Sequence, residues 1–480
     1  MTFKIIKKNK FEYFILTIAV LLSLIWGTFN LNKFDKVKTN FDQKYFNQLL
    51  YADLNSVWNG ADEFKKSLED GNSYLESVPK YERFLLSSII VGTYYYLIDE
   101  EIYEEKGGDQ RVIRENNFKF GLLILQILFY FLSLFFFSKE LKKIVSKNIY
   151  RLSIVFLAIE PSILQWHSSF WTESIFLSFM LILFTLILKR SEGVIINLFI
   201  GIILGLMFMQ RAVSFLYFLP VLMYLIFIHK NKIKVYFLFA AGYLIVTLLV
   251  GLNNYKKTEH FFFLAQYHQY YSYYHYFAPN ILADRKKISP KAARNFLDNE
   301  EKNWLKKNNI VSEVNYSRDN LTAKDLSKII NYRNKIFLRE VNKNKIYVFK
   351  KIITKTITMC IIHPLWVHNH FYFDKTDPIA ITNPKKYYNK DLFKNIPYSL
   401  FIYFFVATGF FKQFRKIYDK KKLSDFDKFL FFNIISILYF VSISCLWGNP
   451  KYFAPCMISL SFFFSVGFIE LKKNILNKRT

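Results

Sequence analysis

Residues 161–184 read PSILQWHSSFWTESIFLSFMLILF, a run apolar enough to sit in a bilayer but with an acid, Glu173, at its mouth. A helix needs roughly 20 apolar residues to cross a hydrocarbon core about 30 Å thick, and runs of roughly that length recur along the chain. Of 480 residues, 52% are hydrophobic and 20% aromatic, with 54 Phe and 33 Tyr. A soluble domain cannot hide that much Phe, so these side chains must face lipid or one another.

The 65 Lys and Arg outnumber the 37 Asp and Glu, giving a net charge of +28. These cations cluster in short segments between apolar runs, where membrane topology places them. A nucleic-acid partner is excluded on this reading, because no basic face on a soluble module is visible. Cys360, Cys445 and Cys456 lack the paired spacings of a metal site or a disulfide framework. The basic N-terminus, MTFKIIKKNK, precedes a long apolar stretch with no small-residue cleavage site, which reads as an uncleaved first span.

With that terminus cytoplasmic, the pattern predicts an all-α polytopic membrane protein of about ten transmembrane helices. The expected spans are near 11–30, 118–137, 152–164, 173–187, 194–210, 213–229, 235–252, 393–411, 429–447 and 455–470. Two large outer-face loops carry interfacial helices: 31–117 inside an N-terminal core of 1–255, and the region 256–391. Residues 392–480 supply the last spans and a cytoplasmic tail. KKIITKTITMCIIHPLWVHNHFYF has a short apolar core dotted with Lys, so it is expected to lie on the membrane rather than cross it.

Under this topology Asp42, Tyr45, His167, Glu173, Arg211, His363, Lys451 and Tyr452 all fall at the outer ends of spans. Ionisable groups at the mouth of a bundle are costly and usually pair or do work. Each has a bland alternative. Glu173 can be a first-turn acid favoured by the helix dipole, with Thr172 as its cap; Arg211 can be a snorkelling interface anchor. Together, a carboxylate and a guanidinium at one depth point to a polar site suited to phosphate, which a planar fork grips with two hydrogen bonds. The tyrosines of 267–276 read first as an interfacial aromatic belt. His268 and His275, like His363, His368 and His370, lack a carboxylate in register, so no metal ligands are assigned, and a divalent metal is the one cofactor left open.

The ordered set NFDQKYFNQLL, EPSILQWHSSFWTESIF, GIILGLMFMQR and GNPKYFAPCMISL resembles the polyprenyl-phosphate-dependent glycosyltransferases of the type C superfamily, near the protein O-mannosyltransferase and lipid A aminoarabinose transferase branch. The likeness spans roughly residues 10–255 and 395–470. It departs where the family commonly has an Asp-Glu pair, since Gln43 follows Asp42, and where a late Arg is replaced by Lys451. Asp62 and Glu63 offer such a pair farther along the chain and rank second.

The resemblance implies an inverting transferase. Heavy use of Lys, Asn, Ile and Phe points separately to an AT-rich genome and so to a bacterial inner membrane, and the charge pattern to two cytoplasmic termini. On the resemblance, sugar would move from a polyprenyl-phosphate donor to a lipid, glycan or protein acceptor at the periplasmic face. The resemblance also implies Asp42 as general base and Arg211, helped by Lys451 or His363, as holder of the donor phosphate. Glu173 would position a hydroxyl or orient Arg211, and Tyr45, His167 and Tyr452 would line the substrate site. A transporter or flippase, or a polymerase or ligase for lipid-linked envelope glycans, is the alternative function.

Overall fold

Backbone polar groups in hydrocarbon must be satisfied within their own segment, so a chain this apolar is driven to helix. The computed structural model describes residues 10–38, 52–79, 85–98, 103–106, 109–112, 116–167, 172–189, 193–229, 232–258, 261, 263, 273–310, 323–365, 384–419, 423–444 and 450–477. In chain order the helices are α1 (Lys10–Lys38), α2 (Ala52–Glu69), α3 (Leu85–Ile98), α4 (Asn116–Ile144), α5 (Lys147–Ile159), α6 (Pro161–His167), α7 (Thr172–Lys189), α8 (Ile196–Gln210), α9 (Phe218–His229) and α10 (Ile233–Thr258). They continue as α11 (Ala278–Lys286), α12 (Pro290–Lys307), α13 (Ala323–Lys343), α14 (Lys345–Ile362), α15 (Pro384–Tyr418), α16 (Asp425–Ser444) and α17 (Ala454–Asn477). The one departure from helix and turn among the described residues is an antiparallel hairpin, β1 (Tyr103–Lys106) with β2 (Asp109–Val112), paired Tyr103 to Val112 and Lys106 to Asp109.

Among the described residues, seven stretches are long and apolar enough to cross a membrane: Lys10–Phe29, Phe120–Ile144, Thr172–Lys189, Ala212–His229, Ile233–Lys257, Asp425–Ile443 and Ala454–Asn477. The molecule is thus a polytopic helical membrane protein. The three further spans expected from the sequence do not reach that standard. Pro161 breaks the third into α5 and α6, α8 is apolar but only 15 residues long, and α15 is 35 residues long with Pro397 inside it.

α7 and α17 are the central helices, 72% and 78% buried over their apolar windows, whereas α1 is 28% buried and peripheral. Lipid offers little hydrophobic drive between helices, so close packing must hold them. Phe184 of α7, Phe429 of α16 and Phe462 of α17 meet at centroid separations of 5.4 and 5.2 Å, with Phe137 of α4 5.8 Å from Phe462. Tilted and edge-on rings at these distances are favourable pairings. Two crossings depend on glycine: a Cβ on Gly201 or Gly242 would overlap the facing backbone of α10 or α8, and one on Gly467 would lie 2.8 Å from the Gly409 nitrogen of α15.

The two ends of the bundle differ. At one, Glu12 of α1 accepts hydrogen bonds from Lys142 of α4 (2.5 Å) and from the Tyr150 hydroxyl of α5 (2.7 Å). Lys412 of α15 pairs with Glu470 of α17, and Lys416 with Asp427 of α16 at 2.9 Å. The opposite end holds the junction of α6 and α7, the C-terminus of α8 and the N-terminus of α17. The paired α2 and α3 sit over this end, with Lys256 of α10 reaching Glu76 at 3.0 Å.

The region expected to be an outer loop contains a helical unit with its own core. Ser289 caps α12 by accepting from the Ala292 N–H at 3.1 Å, with Pro290 at the first helical position. Tyr274, Leu282, Ala293, Leu297 and Ile336 pack together, and Trp304 stacks on Tyr332 at 4.3 Å. Arg333 and Glu301 form a buried ion pair at 2.6 Å, and Arg339 grips Glu300 through two bonds of 2.6 and 3.0 Å. Tyr274 is buried here, its hydroxyl donating to the Leu297 carbonyl at 2.7 Å. The aromatic-belt expectation therefore fails at this residue, because α12 and α13 fold over it.

α14, the segment expected to lie on the membrane, is a single helix. Ile346, Phe349, Ile353 and Ile357 form one exposed stripe at helical spacing, 45% to 73% accessible, while Met359 and Ile362 turn inward. Its final carbonyls are satisfied by three α15 side chains one turn apart: Tyr403 donates to Cys360, Ser399 to Ile361 and Asn395 to Ile362. Those bonds replace the missing intrahelical partners and fix the turn that carries His363.

Candidate functional site at one end of the bundle

Glu173 lies in the first turn of α7 and Arg211 just beyond the end of α8, and the two side chains form an ion pair between Arg211 Nη1 and Glu173 Oε1. Both are almost fully buried, at 1% and 3% exposure. The second guanidinium nitrogen, Nη2, is buried without a hydrogen-bond partner among the described residues. The Tyr452 ring lies against the guanidinium, 5.1 Å from Cζ to the centroid, a cation–π contact. Thr172 Oγ1 donates to Glu173 Oε2 at 3.2 Å, tying the carboxylate in place.

Gln210 braces the pair from below by donating to the Thr172 carbonyl at 2.9 Å and to Ser87 Oγ of α3 at 2.7 Å. The covering unit formed by α2 and α3 is thereby bonded to the site. Arg211 also starts the 3-10 turn Ala212–Tyr217, whose Ser214 hydroxyl donates to the Arg211 carbonyl at 2.8 Å. Its backbone there is extended, because α8 stops at Gln210 and the chain must turn into α9.

His167 closes α6. Its Nδ1 is 2.9 Å from Ser174 Oγ of α7, and its ring stacks on Tyr130 of α4 with centroids 3.5 Å apart. Its Nε2 is buried without a partner among the described residues. One residue earlier, Trp166 stacks near His363 at 5.8 Å, and Gln165 Nε2 donates to the His363 carbonyl at 3.0 Å. His363 in turn meets Phe453 edge-on at 5.5 Å. Phe453 and Tyr452 share the 3-10 turn Pro450–Phe453 that leads into α17. Lys451 belongs to this turn by its backbone, but its side chain falls outside the described residues.

The fold thus brings His167, Glu173, Arg211, His363 and Tyr452 to one end of the bundle from four separate chain segments. Asp42 and Tyr45 lie outside the described residues, as do His268, His368 and His370. Asp62 and Glu63, the second-ranked pair, stand on α2, the first half-buried and the second exposed.

One buried carboxylate was not foreseen. Glu160, between α5 and α6, accepts from the Ser162 N–H at 2.8 Å and from the hydroxyls of Ser162 and Tyr398. It caps the restarted helix α6 and ties it to α15. The signal was an acid immediately before Pro161 with Ser two residues on, the pattern of a helix N-terminus. Gln210, adjacent to Arg211, was likewise missed, since a lone amide in an apolar run has no periodic signature.

No group of three or more His, Cys, Asp or Glu side chains is arranged to hold a metal among the described residues. His275 has Asp298 at 4.0 Å in the helical unit of α11 to α13, well short of a ligand set. No protein-family model matches the chain, and no curated protein does either.

A buried ion pair is weak evidence for stability, since desolvating both charges offsets most of their attraction. An unsatisfied guanidinium N–H adds to that cost. What such an arrangement offers is a preoriented cation: Glu173 and Tyr452 hold the fork, and Nη2 remains to donate to an anion.

Proposed function

We propose that the protein is a membrane-embedded inverting glycosyltransferase that moves a sugar from a polyprenyl-phosphate donor to an acceptor at the outer face. The observation that carries this reading is the buried, oriented Arg211, with one edge on Glu173 and its Nη2 unpartnered among the described residues. The ordered likeness of the membrane segments to the type C superfamily supplies the substrate class.

In this reading the bundle end bearing Lys142, Lys412 and Lys416 is cytoplasmic, in line with the positive-inside rule. α5 with α6, α8 and α15 complete ten crossings, and both termini are inside. Arg211, with Lys451 and His363, binds the donor phosphate and neutralises the charge that grows on it as the glycosidic C–O bond breaks. Asp42 removes the acceptor proton as the hydroxyl attacks the anomeric carbon from the opposite side, so the configuration inverts. Glu173 acts through Arg211 by fixing its orientation. His167 and Tyr452, with Tyr45, flank the substrate.

A flippase for a lipid-linked glycan would want polar groups along the whole membrane depth. Here the buried charged side chains of the described bundle helices gather toward its ends, with Glu12, Glu140 and Asp427 at one and Glu160, Glu173 and Arg211 toward the other. Between those ends the described helices bury Ser178, Thr185, Asn433, Ser436 and Ser461 but no charge, which argues against a charged path through the membrane.

The test is equilibrium binding of a fluorescent polyprenyl monophosphate to purified protein. Arg211→Gln is expected to weaken binding at least about tenfold, the loss of a charge-assisted hydrogen-bonded contact. Equal affinity in the variant would remove Arg211 from phosphate recognition.

A further inference from the structure

At the basic end of the bundle, remote from Arg211, a cavity of about 420 Å³ opens among the starts of α1 and α5 and the end of α4. Its walls include Lys10, Lys142, Lys147 and Arg151, against a single acid, Glu12. Glu12 is already engaged by Lys142 and the Tyr150 hydroxyl, at 2.5 and 2.7 Å. The remaining cations have no carboxylate within ion-pairing distance among the described residues. Arg151 lies with its guanidinium 5.2 Å from the Phe11 ring, which fixes its position over the wall. Lys147 and Arg151 are one turn apart on α5, so both project from the same face.

The neighbourhood is amphiphilic. Phe14, one turn from Lys10 on α1, is 64% exposed, and Phe136 on α4 is 49% exposed, both directed out of the bundle. Cations around a hollow whose walls also include Phe11, Val145 and Tyr150, with exposed rings beginning one turn away, match a phospholipid: phosphate against the cations and acyl chains along the helices. A soluble phosphate compound would have no use for the exposed rings. Basic pockets between spanning helices on the cytoplasmic side are recognised sites for anionic headgroups.

We propose that this cavity binds the phosphate headgroup of an anionic phospholipid of the inner leaflet, clamping α1 to α4 and α5. The site is separate from the transferase site and does not depend on the reading of Arg211. α1 is the least buried of the seven candidate spans among the described residues, so a lipid bridging its N-terminus to α5 adds contacts to a peripheral helix.

The probe is phosphatidylglycerol, counted per protein by native mass spectrometry from detergent containing equal phosphatidylglycerol and phosphatidylcholine. The variant Lys10→Gln/Lys147→Gln/Arg151→Gln, at exposed positions, is expected to retain phosphatidylglycerol at least about tenfold less well, with phosphatidylcholine unchanged. The charge-conserving Lys147→Arg/Arg151→Lys form is expected to retain it. Equal phosphatidylglycerol in the intact and triple-variant proteins would overturn the site. Displacement of the lipid by millimolar inorganic phosphate would overturn the lipid assignment and leave a soluble phosphate ligand.

Discussion

Glu173 and Arg211 sit 38 residues apart in sequence, and each is mutually dependent on the other once buried. Removing one partner strands a charge in low dielectric, whereas replacing both with apolar groups of similar volume is often neutral. Glu173→Ala is therefore expected to lower unfolding stability by about 3–5 kcal/mol, read as a large drop in the thermal transition in detergent. Glu173→Leu/Arg211→Met is expected to recover most of that stability while binding no polyprenyl phosphate. Recovery of binding in the double variant would make the pair purely structural. A second residue-scale test concerns His275. Burial, with Arg333 and Arg294 nearby, holds its imidazole down at about 3. The unfolded imidazole protonates near 6.5, so the stability tied to its neutral form is present above that value and falls as pH drops from about 6.5 towards 3, by up to ~1 kcal/mol per pH unit. Hydrogen exchange in residues 273–307 should quicken at pH 5.5 relative to pH 7.5, after correction for intrinsic rate. The opposite trend would mean that Asp298, at 4.0 Å, dominates.

At the scale of elements, glycine sets how closely α8 meets α10 and α15 meets α17. Gly201→Val would drive a branched side chain into the Phe239 carbonyl, and Gly467→Val into α15. Each is expected to cost about 1–3 kcal/mol by overpacking, seen as a lowered thermal transition; an unchanged transition would mean that the helices slide apart freely. α14 makes a different claim. Spin labels at 349 and 353 should be relaxed by lipid-soluble oxygen, and a label at 351 by a water-soluble paramagnet; equal response at all three would contradict a membrane-lying helix. The short apolar core dotted with Lys from 350 onward reads as an amphipathic helix, whereas the exposed stripe of Ile346, Phe349, Ile353 and Ile357 emerges only from the structure. The hairpin of β1 and β2 was not read, although Gly107 and Gly108 between two short polar runs are its turn signature. Its strands lack the apolar alternation that usually announces them.

At the scale of the whole molecule, the apolar runs gave away a helical membrane protein, because lipid leaves the backbone few options. The exact number of crossings was harder to read. Pro161 divides one run, α8 is short, and α15 mixes polar and apolar turns, so among the described residues length and composition alone mark seven helices. Glu173, Arg211, His167, His363 and Tyr452 were legible because each interrupts an apolar stretch at an end. Glu160 and Gln210 were not, because their roles come from partners, Tyr398 and Ser87, that only the tertiary packing supplies. The sequence also could not show that 273–310 and 323–344 make a helical unit with a buried Arg333–Glu301 pair, since that contact bridges α12 and α13. The most direct measurement of function is transfer itself. Proteoliposomes carrying a radiolabelled polyprenyl-phosphate sugar pool and native membrane acceptors are compared for the intact protein, Asp42→Asn and Arg211→Gln. The expected result is label on an acceptor with the intact protein alone, lost by at least about a hundredfold in either variant. Label that crosses the bilayer while staying on its lipid, equally in all three, would contradict a transferase and identify a lipid-linked sugar transporter.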